Sequence, residues 1–324
     1  MSENRKTEQL RSGFEQFYQM VLEPKLAVVE ATRKKYLRFF ILGMFIMFVL
    51  LPLVCMGLFW VFLLQNDTGY YYSEDVSLDK ILFGLLVLIA IVSSPIFLYK
   101  KKAKNVIMPD FIKYFGDFEY VHLKTIAQEI IRKSMLFDEF NVRKGDDFFC
   151  GVYLGTKMIL SEESMSYIEQ KNKRTYIKNV FDGMIIQLEM NKNFSGQTVV
   201  FKDRGIFNFF NAFGKMQKVA LEDSVFEKEF EVYSTDQIEA RYLLTTAFME
   251  RMLAVRNAYK ANKIQFSFFD NSLLIAIDTK KNMFESTSLF RKTTDKKIIN
   301  QVFEQFISVM SIVEFLKLNQ RLGF

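Results

Sequence analysis

Histidine and cysteine are almost absent from this sequence, and their scarcity limits the chemistry available to it. The 324 residues include one histidine, His122, and two cysteines, Cys55 and Cys150. A single histidine cannot build a histidine-rich metal centre. Cys55 lies in a long apolar run, whereas Cys150 lies in the later, mixed part of the chain. We therefore expect neither a metal site nor a disulfide.

Recognisable catalytic motifs are also lacking. No glycine-rich loop leads a strand into a helix, and the signatures of kinases, Walker-type nucleotide hydrolases, zinc proteases and serine hydrolases are absent. Neighbouring carboxylates, such as Glu162 with Glu163 and Glu222 with Asp223, are expected in solvated turns. The sequence therefore predicts a protein that is not an enzyme and that uses no cofactor.

Charged residues are missing from two long stretches, residues 39–64 and 81–99. As helices rising 1.5 Å per residue, both are long enough to cross a hydrocarbon core of about 30 Å. A spanning helix satisfies its own backbone groups and tolerates Pro52 and Pro95 as local kinks. We predict a transmembrane hairpin over residues 39–104, preceded by a cytoplasmic segment, 1–38, and followed by a domain, 105–324.

Positive charge collects at the outer ends of this hairpin, whereas the short link at residues 65–79 is mainly acidic. Positive residues beside a span stay in the cytoplasm, so both termini are predicted to be cytoplasmic. The same basic residues can also bind anionic lipid headgroups, each contributing about 1 kcal/mol to binding. Alternatively, they only determine the orientation of the hairpin in the membrane. These residues are Arg33, Lys34, Lys35 and Arg38 before the first run, and Lys100, Lys101, Lys102 and Lys104 after the second.

Two amphipathic helices are predicted beside the hairpin from apolar residues spaced near 3.6. One covers residues 8–30 and can dock on protein or on the bilayer surface. The other covers residues 110–137, with Pro109 near its start.

The rest of the chain reads as an α+β domain in which helices cover an antiparallel sheet. Phenylalanine is abundant (36 residues) and proline scarce (4), as expected of a folded domain with buried aromatic residues. Period-two alternation predicts the strands, and broader apolar stripes predict the helices. The predicted strands are 147–154, 156–160, 179–190, 197–203, 218–221, 263–269 and 273–278, and the helices are 236–244, 246–260 and 295–319.

Three stretches of this domain resemble a bacterial membrane-protein family, the domain of unknown function 3137. They are residues 194–203, residues 219–251, and residues 264–277 followed by Phe284 and Glu285. The resemblance implies paired membrane spans, a cytoplasmic domain and no assigned reaction, and therefore a location in the bacterial inner membrane.

The second of these stretches contains our candidate for a partner-binding surface. Thr235 or Asp236 is suited to cap a helix, and Glu239 stands three residues after Asp236, as in a capping box. Arg241 can pair with Asp236, or with Glu222 or Asp223. The cluster can form a groove for a partner protein, or it can be a capped helix with a satisfied ion pair. The candidate residues are Asp223, Phe226, Phe230, Tyr233, Asp236, Glu239, Arg241 and Tyr242.

A phenylalanine-rich stretch at residues 205–214 is the second candidate surface. Its rings can dip into a bilayer, contact an apolar partner, or lie in the core; they are Phe207, Phe209, Phe210 and Phe213. Basic residues are interleaved with tyrosines at residues 167–176, a pattern that can bind single-stranded nucleic acid because the rings stack on bases. For a membrane-anchored protein, however, we expect no nucleic-acid partner. The sequence favours a membrane-anchored protein that binds a partner protein or a second copy of itself, with a lipid-binding module as the alternative.

Overall fold

The computed structural model describes residues 5–68, 78–202, 216–259, 263–280 and 282–316. Its described parts form two compact units. One contains Val21–Ile107 and Ser286–Asp295, and the other contains Met1–Met20, Met108–Glu285 and Lys296–Phe324. The two units are described separately below.

Two long helices dominate the first unit. They are α2, Glu23–Thr68, and α3, Leu78–Lys113, whose last residues from Met108 on belong to the other unit. Before α2 the chain forms α1, Arg5–Phe17, which belongs to the other unit, and a π-helical turn at Tyr18–Leu22. The apolar runs therefore lie inside longer helices, and the predicted helix over 8–30 does not end before the first run. The helix continues from the π-helical turn into α2 because residues 23–38 have helical spacing and no glycine. Pro24 directly follows that turn, and both are irregularities that a helix accommodates without ending.

The surfaces of α2 and α3 are apolar and exposed along most of both runs. Phe48 is 77% exposed and Phe97 is 70% exposed. The helical stretches Lys6–Gly57 and Leu82–Lys113 are long and apolar enough to cross a membrane. Gly43 brings the two helices together, because a Cβ there would lie 3.4 Å from Val92 Cγ2. A third such stretch, Lys296–Leu316, differs because half of its apolar window is buried.

A single antiparallel sheet organises the second unit. Its nine strands follow the order β1-β2-β3-β4-β9-β8-β5-β7-β6. The strands are β1 Asp117–His122, β2 Val142–Tyr153, β3 Thr156–Lys171, β4 Arg174–Glu189, β5 Thr198–Phe201, β6 Gln217–Lys218, β7 Glu231–Ser234, β8 Lys263–Phe269 and β9 Ser272–Asp278. The helices are α4 Gln128–Ser134, α5 Ser224–Glu229, α6 Gln237–Leu243, α7 Thr246–Tyr259 and α8 Lys296–Leu316.

Helices cover both faces of this sheet, as the alternation of side chains on a strand requires. On one face, Phe306 of α8 packs edge-on against Phe149, with ring centroids 5.1 Å apart. On the other face, the neighbouring Phe148 joins a core with Ile131 of α4 and Phe181 of β4. The predicted α+β class, with helices on an antiparallel sheet, is confirmed.

The predicted helix over residues 110–137 is wrong. Residues 110–113 are the end of α3, Asp117–His122 form an edge strand, and Gln128–Ser134 form a separate short helix. A Cβ on Gly116 would lie 2.8 Å from the Val152 carbonyl oxygen, so the chain needs glycine where it enters the sheet. The apparent helical spacing arose because three separate elements, the end of α3, β1 and α4, happen to place apolar residues in phase.

Candidate functional site

Two aspartates position the segment in which the partner-binding surface was predicted. The Asp223 carboxylate accepts the N–H groups of Val225 and Phe226 at the start of α5, at 2.9 and 3.0 Å. The Asp236 carboxylate accepts those of Ile238 and Glu239 at the start of α6, at 2.8 and 3.0 Å. Such N-caps stabilise a helix start by about 1 kcal/mol each, and the predicted cap at Asp236 is confirmed.

Glu239 binds a neighbouring loop instead of closing a capping box. Its two carboxylate oxygens accept the N–H groups of Ser195, at 2.8 Å, and Gly196, at 2.6 Å. A Cβ on Gly196 would lie 2.4 Å from Glu239 Oε2, so a larger residue here would displace the carboxylate from these two N–H groups. The carboxylate therefore joins α6 to the start of β5.

Arg241 donates to backbone carbonyls, not to the carboxylates expected from the sequence. Its guanidinium reaches the Gln237 oxygen at 3.2 Å and the Ala220 oxygen at 3.5 Å. The predicted ion-pair partners Asp223 and Asp236 instead accept the N–H groups at the starts of α5 and α6. The guanidinium instead ties α6 to the strand-connecting segment before α5.

The eight predicted residues divide between the core and the surface. Phe226 and Phe230 are buried with their ring centroids 5.0 Å apart, and Tyr233 is partly buried against the sheet. Tyr242 remains 43% exposed and holds Lys192 Nζ 4.6 Å from its ring centroid. The structure therefore leaves the outer side of α6 as the accessible part of the segment.

Two exposed aliphatic residues extend this surface, and the sequence prediction missed both. Ile238, one helical turn before Tyr242, is 82% exposed, and Val225 at the start of α5 is 60% exposed. Large apolar side chains at the second position of a capped helix give no periodic signal of their own. Their exposure is visible only once the helices are placed on the sheet.

The basic residues beside the apolar helices do not all face solvent. Arg33 and Lys104 are buried, and Lys100 is partly buried. A buried cation cannot bind a lipid headgroup, so the candidate membrane-surface set is reduced. Its exposed members are Lys34, Lys35, Arg38, Lys101 and Lys102.

Arg33 belongs to a hydrogen-bonded cluster within the helical unit. It binds both carboxylate oxygens of Glu30, at 2.7 and 2.8 Å, and donates to the Leu289 carbonyl at 2.9 Å. Glu30 also accepts the Thr293 N–H at 2.9 Å, and the Thr293 hydroxyl lies 2.6 Å from the Tyr99 hydroxyl. The Arg33 guanidinium lowers the pKa of Glu30 to about 2. The cluster fastens α2 and α3 to residues 286–295.

The phenylalanine-rich candidate cannot be placed. Phe207, Phe209, Phe210 and Phe213 lie outside the described residues, as does most of the acidic link after the first apolar run. The prediction that this stretch contacts lipid, a partner or the core stays a prediction.

A histidine and two aspartates meet where β1 pairs with β2. His122 Nδ1 lies 3.5 Å from Asp146 Oδ1, and the Tyr120 hydroxyl donates to Asp147 Oδ1 at 2.8 Å. A bulge in β2 at this point lets both aspartates face the histidine, and the three ligand atoms lie within 4.8 Å of one another. Burial, followed by the Asp147 charge, raises the pKa of Tyr120. One imidazole and two carboxylates are ligand types that bind divalent cations. Contacts within the cluster, such as the Tyr120 hydrogen bond to Asp147, also account for the arrangement without a metal.

The ends of β3 and β4 form a two-stranded ribbon with exposed side chains. The register joins Ile168 to Ile177 and closes with Lys171 opposite Arg174. The turn residues Asn172 and Lys173 both have positive φ, 52° and 60°, as a two-residue type I′ turn requires. Because β4 pairs with β9 only over residues 183–189, residues 174–182 continue beyond that neighbour.

Comparisons with known proteins give a family match over residues 179–318 and no function. The model of the family DUF3137, described as a protein of unknown function, matches residues 179–318 and confirms the resemblance noted in the sequence. No curated protein matches the chain. Among solved structures, the crystal structure of the mycobacterial trehalose monomycolate transport factor A, TtfA, is 11% identical, with a TM-score of 0.32 over 61% of this chain and 88% of that chain.

Proposed function

Because residues 179–318 carry the DUF3137 family signature, whose function is unknown, we propose a function from the geometry of the chain itself. The protein is a non-enzymatic component of the bacterial inner membrane, and its α+β domain binds another protein in a membrane complex. The observation that carries this proposal is the exposed apolar surface of α2 and α3. Contact of so large an apolar surface with water is unfavourable, whereas contact with lipid is not.

The charges beside the apolar runs support an orientation with both termini in the cytoplasm. Lys34, Lys35 and Arg38 are exposed before the first run, and Lys101 and Lys102 are exposed after the second. Lysine and arginine close to a span favour the cytoplasmic side. The domain, which follows the second basic group in the chain, is then cytoplasmic as well.

The capped segment supplies the proposed partner-binding surface. Ile238 and Tyr242 lie one turn apart on α6, so their side chains are neighbours on one helix face. Both are exposed, while the caps at Asp223 and Asp236 and the Glu239 bonds to the neighbouring loop hold the helix in place. A rigid helix that presents apolar side chains is a common form of docking site.

Photo-crosslinking in the native membrane tests this proposal with the full-length protein. A photoreactive residue at position 238 should capture one discrete protein, whereas the same residue at Lys157, an exposed position on β3, should not. An Ile238→Asp change should abolish capture by a reporter at Tyr242 without altering the thermal unfolding of the protein. Capture of lipid alone at position 238 would contradict protein binding.

A lipid-binding module is the second candidate, favoured by the five exposed lysine and arginine residues beside the apolar runs. In nanodiscs, anionic lipid should then protect Lys34 and Lys101 from amine acetylation relative to neutral lipid. Equal acetylation in both lipids would leave these residues with a topological role only.

A further inference from the structure

The ribbon of β3 and β4 has one open edge. Asn141 hydrogen-bonds through its side chain to both the N–H and the carbonyl of Ile168, at 2.8 and 2.7 Å. Among the described residues, no strand pairs with residues 174–181 on the side of β4 that faces away from β3, and the Lys280 N–H occupies the Asp182 carbonyl just beyond them, at 3.0 Å. The backbone of residues 174–181 therefore forms an open edge that another strand can pair with.

The Asn141 bonds also show which backbone groups face outward. Because the N–H and carbonyl of Ile168 point to Asn141, they point away from β4, and Ile168 forms a non-hydrogen-bonded pair with Ile177. The N–H and carbonyl of Ile177 then point to the open edge. The same alternation directs Thr175 and Asn179 outward. These three residues form a regular row of donors and acceptors along the open side of β4.

The side chains along the open edge include exposed apolar residues in the middle of the ribbon end and basic residues at its turn. Ile177 is 68% exposed, and Tyr176 is also exposed. Lys171, Lys173 and Arg174 lie at or beside the turn, and Glu169 is the acidic residue of this end of the ribbon. Lys178 already pairs with Asp138 at 3.1 Å. The free charge of the ribbon end is therefore positive.

We propose that residues 174–181 bind an acidic, extended segment of a partner protein, which adds to the sheet beside β4. Strand addition satisfies the outward row at Thr175, Ile177 and Asn179, while acidic side chains of the partner meet the basic residues near the turn. The inference rests on the proposed partner-binding function and adds the chemistry of the partner and a second point of contact.

A second copy of this chain fits the same edge less well. Antiparallel pairing of two β4 edges would bring the two basic ribbon ends, each with Lys173 and Arg174, to one shared seam. Like charges that face each other across paired strands are destabilising. Lysine and arginine on an open edge also oppose self-association in general. The positive charge of the ribbon end therefore favours an acidic partner segment over a second copy of the chain.

Two matched substitutions separate backbone pairing from side-chain contact. Ile177→Pro removes an outward N–H and leaves the bonds between β3 and β4 intact, because proline is tolerated where the N–H of an edge strand faces solvent. Ile177→Thr retains that N–H and has a similar branched shape. A third variant, Lys173→Glu with Arg174→Glu, reverses the charge of the ribbon end. Circular dichroism melts establish that each variant is folded.

The probe is a fluorescein-labelled peptide of twelve residues in which glutamate alternates with valine, added to the full-length protein in detergent. Anisotropy should show binding that Ile177→Pro weakens about tenfold, the effect of one lost hydrogen bond, and that Ile177→Thr changes less than twofold. The charge-reversed variant should lose binding, and salt should weaken it in the wild type. A peptide with lysine in place of glutamate should not bind.

Equal binding of the lysine peptide, or wild-type affinity of both Ile177→Pro and the charge-reversed variant, would overturn the proposal. Self-association that depends on protein concentration and disappears in Ile177→Pro would assign the edge to a second copy. Photo-crosslinking at position 238 keeps the two proposals distinct. Capture there that persists in Ile177→Pro, without peptide binding at the ribbon, would refute this inference alone.

Discussion

The cluster around Arg33 should make a large contribution to the stability of the helical unit. Its guanidinium makes two bonds to the Glu30 carboxylate and one to the Leu289 carbonyl, and the Arg33 and Glu30 side chains are only 9% and 13% exposed. Arg33→Met retains the apolar stem and removes the charge. Glu30 would then be a buried carboxylate that retains the Thr293 N–H as a donor.

Two arguments bear on the magnitude. Breaking a buried ion pair by removing one partner costs roughly 3–5 kcal/mol. The pKa of Glu30 is lowered from 4.5 to about 2 by Arg33 first and by the Thr293 hydrogen bonds as well, and the whole shift corresponds to about 3 kcal/mol at roughly 1.4 kcal/mol per unit, most of which we assign to Arg33. For a protein of this size, we expect the apparent Tm of Arg33→Met in detergent to fall by roughly 6–12 °C.

The dependence on pH provides a second, sharper readout. Because the folded-state pKa of Glu30 lies below its unfolded value, the stabilisation is fully present above pH 4.5 and is lost as the pH falls towards 2. The difference in Tm between wild type and Arg33→Met should therefore be largest at pH 7 and should narrow at pH 3.

Lys34→Met is the matched control, because it removes the same charge from an exposed neighbour. We expect a change within about 0.5 kcal/mol at either pH. The reasoning would be refuted if the two variants lost equal stability at pH 7, or if the Arg33→Met difference stayed constant on acidification.

Three further predictions concern the α+β domain and can be checked by urea unfolding of the full-length protein. Gly196→Ala should destabilise by more than about 1 kcal/mol, because the new methyl group meets the Glu239 carboxylate, and full stability would show that the loop can move aside. Asp236→Ala should cost about 1 kcal/mol through loss of the α6 cap, whereas Asp236→Asn should retain most of it. Tyr120→Phe should cost about 1–3 kcal/mol, because buried Asp147 loses its hydroxyl donor; an unchanged midpoint would mean that another donor replaces it.

Strong local signals made part of the fold predictable from the sequence. The strands at residues 263–278 have short apolar runs around Asp270 and Asn271, and both turn residues have positive φ as expected for a tight turn. Helix α8 has an apolar stripe broad enough to be recognised alone. The capping role of Asp236 also follows from local chemistry. In each case the residues that determine the element are neighbours in the chain.

Features that depend on distant residues were missed. Residues 161–178 are mostly polar, so their strands became visible only through pairing of β3 with β4. Glu239 was predicted to complete its own helix start, but the N–H groups that it binds belong to Ser195 and Gly196. The sequence also does not show that Asp146 and Asp147 lie beside His122, because these aspartates come from another strand. The periodicity of apolar residues within one segment cannot predict contacts between residues that are distant in the sequence.

Labelling of introduced cysteines in intact bacterial cells is the most direct test of the membrane-anchored account. In a protein with Cys55→Ser and Cys150→Ser, a membrane-impermeant maleimide is applied to Ser73→Cys, in the link between the apolar runs, and to Lys173→Cys, at the ribbon turn. The account predicts that position 73 reacts in intact cells and that position 173 reacts only after permeabilisation. Labelling of position 173 in intact cells, or protection of position 73 from the outside, would contradict it.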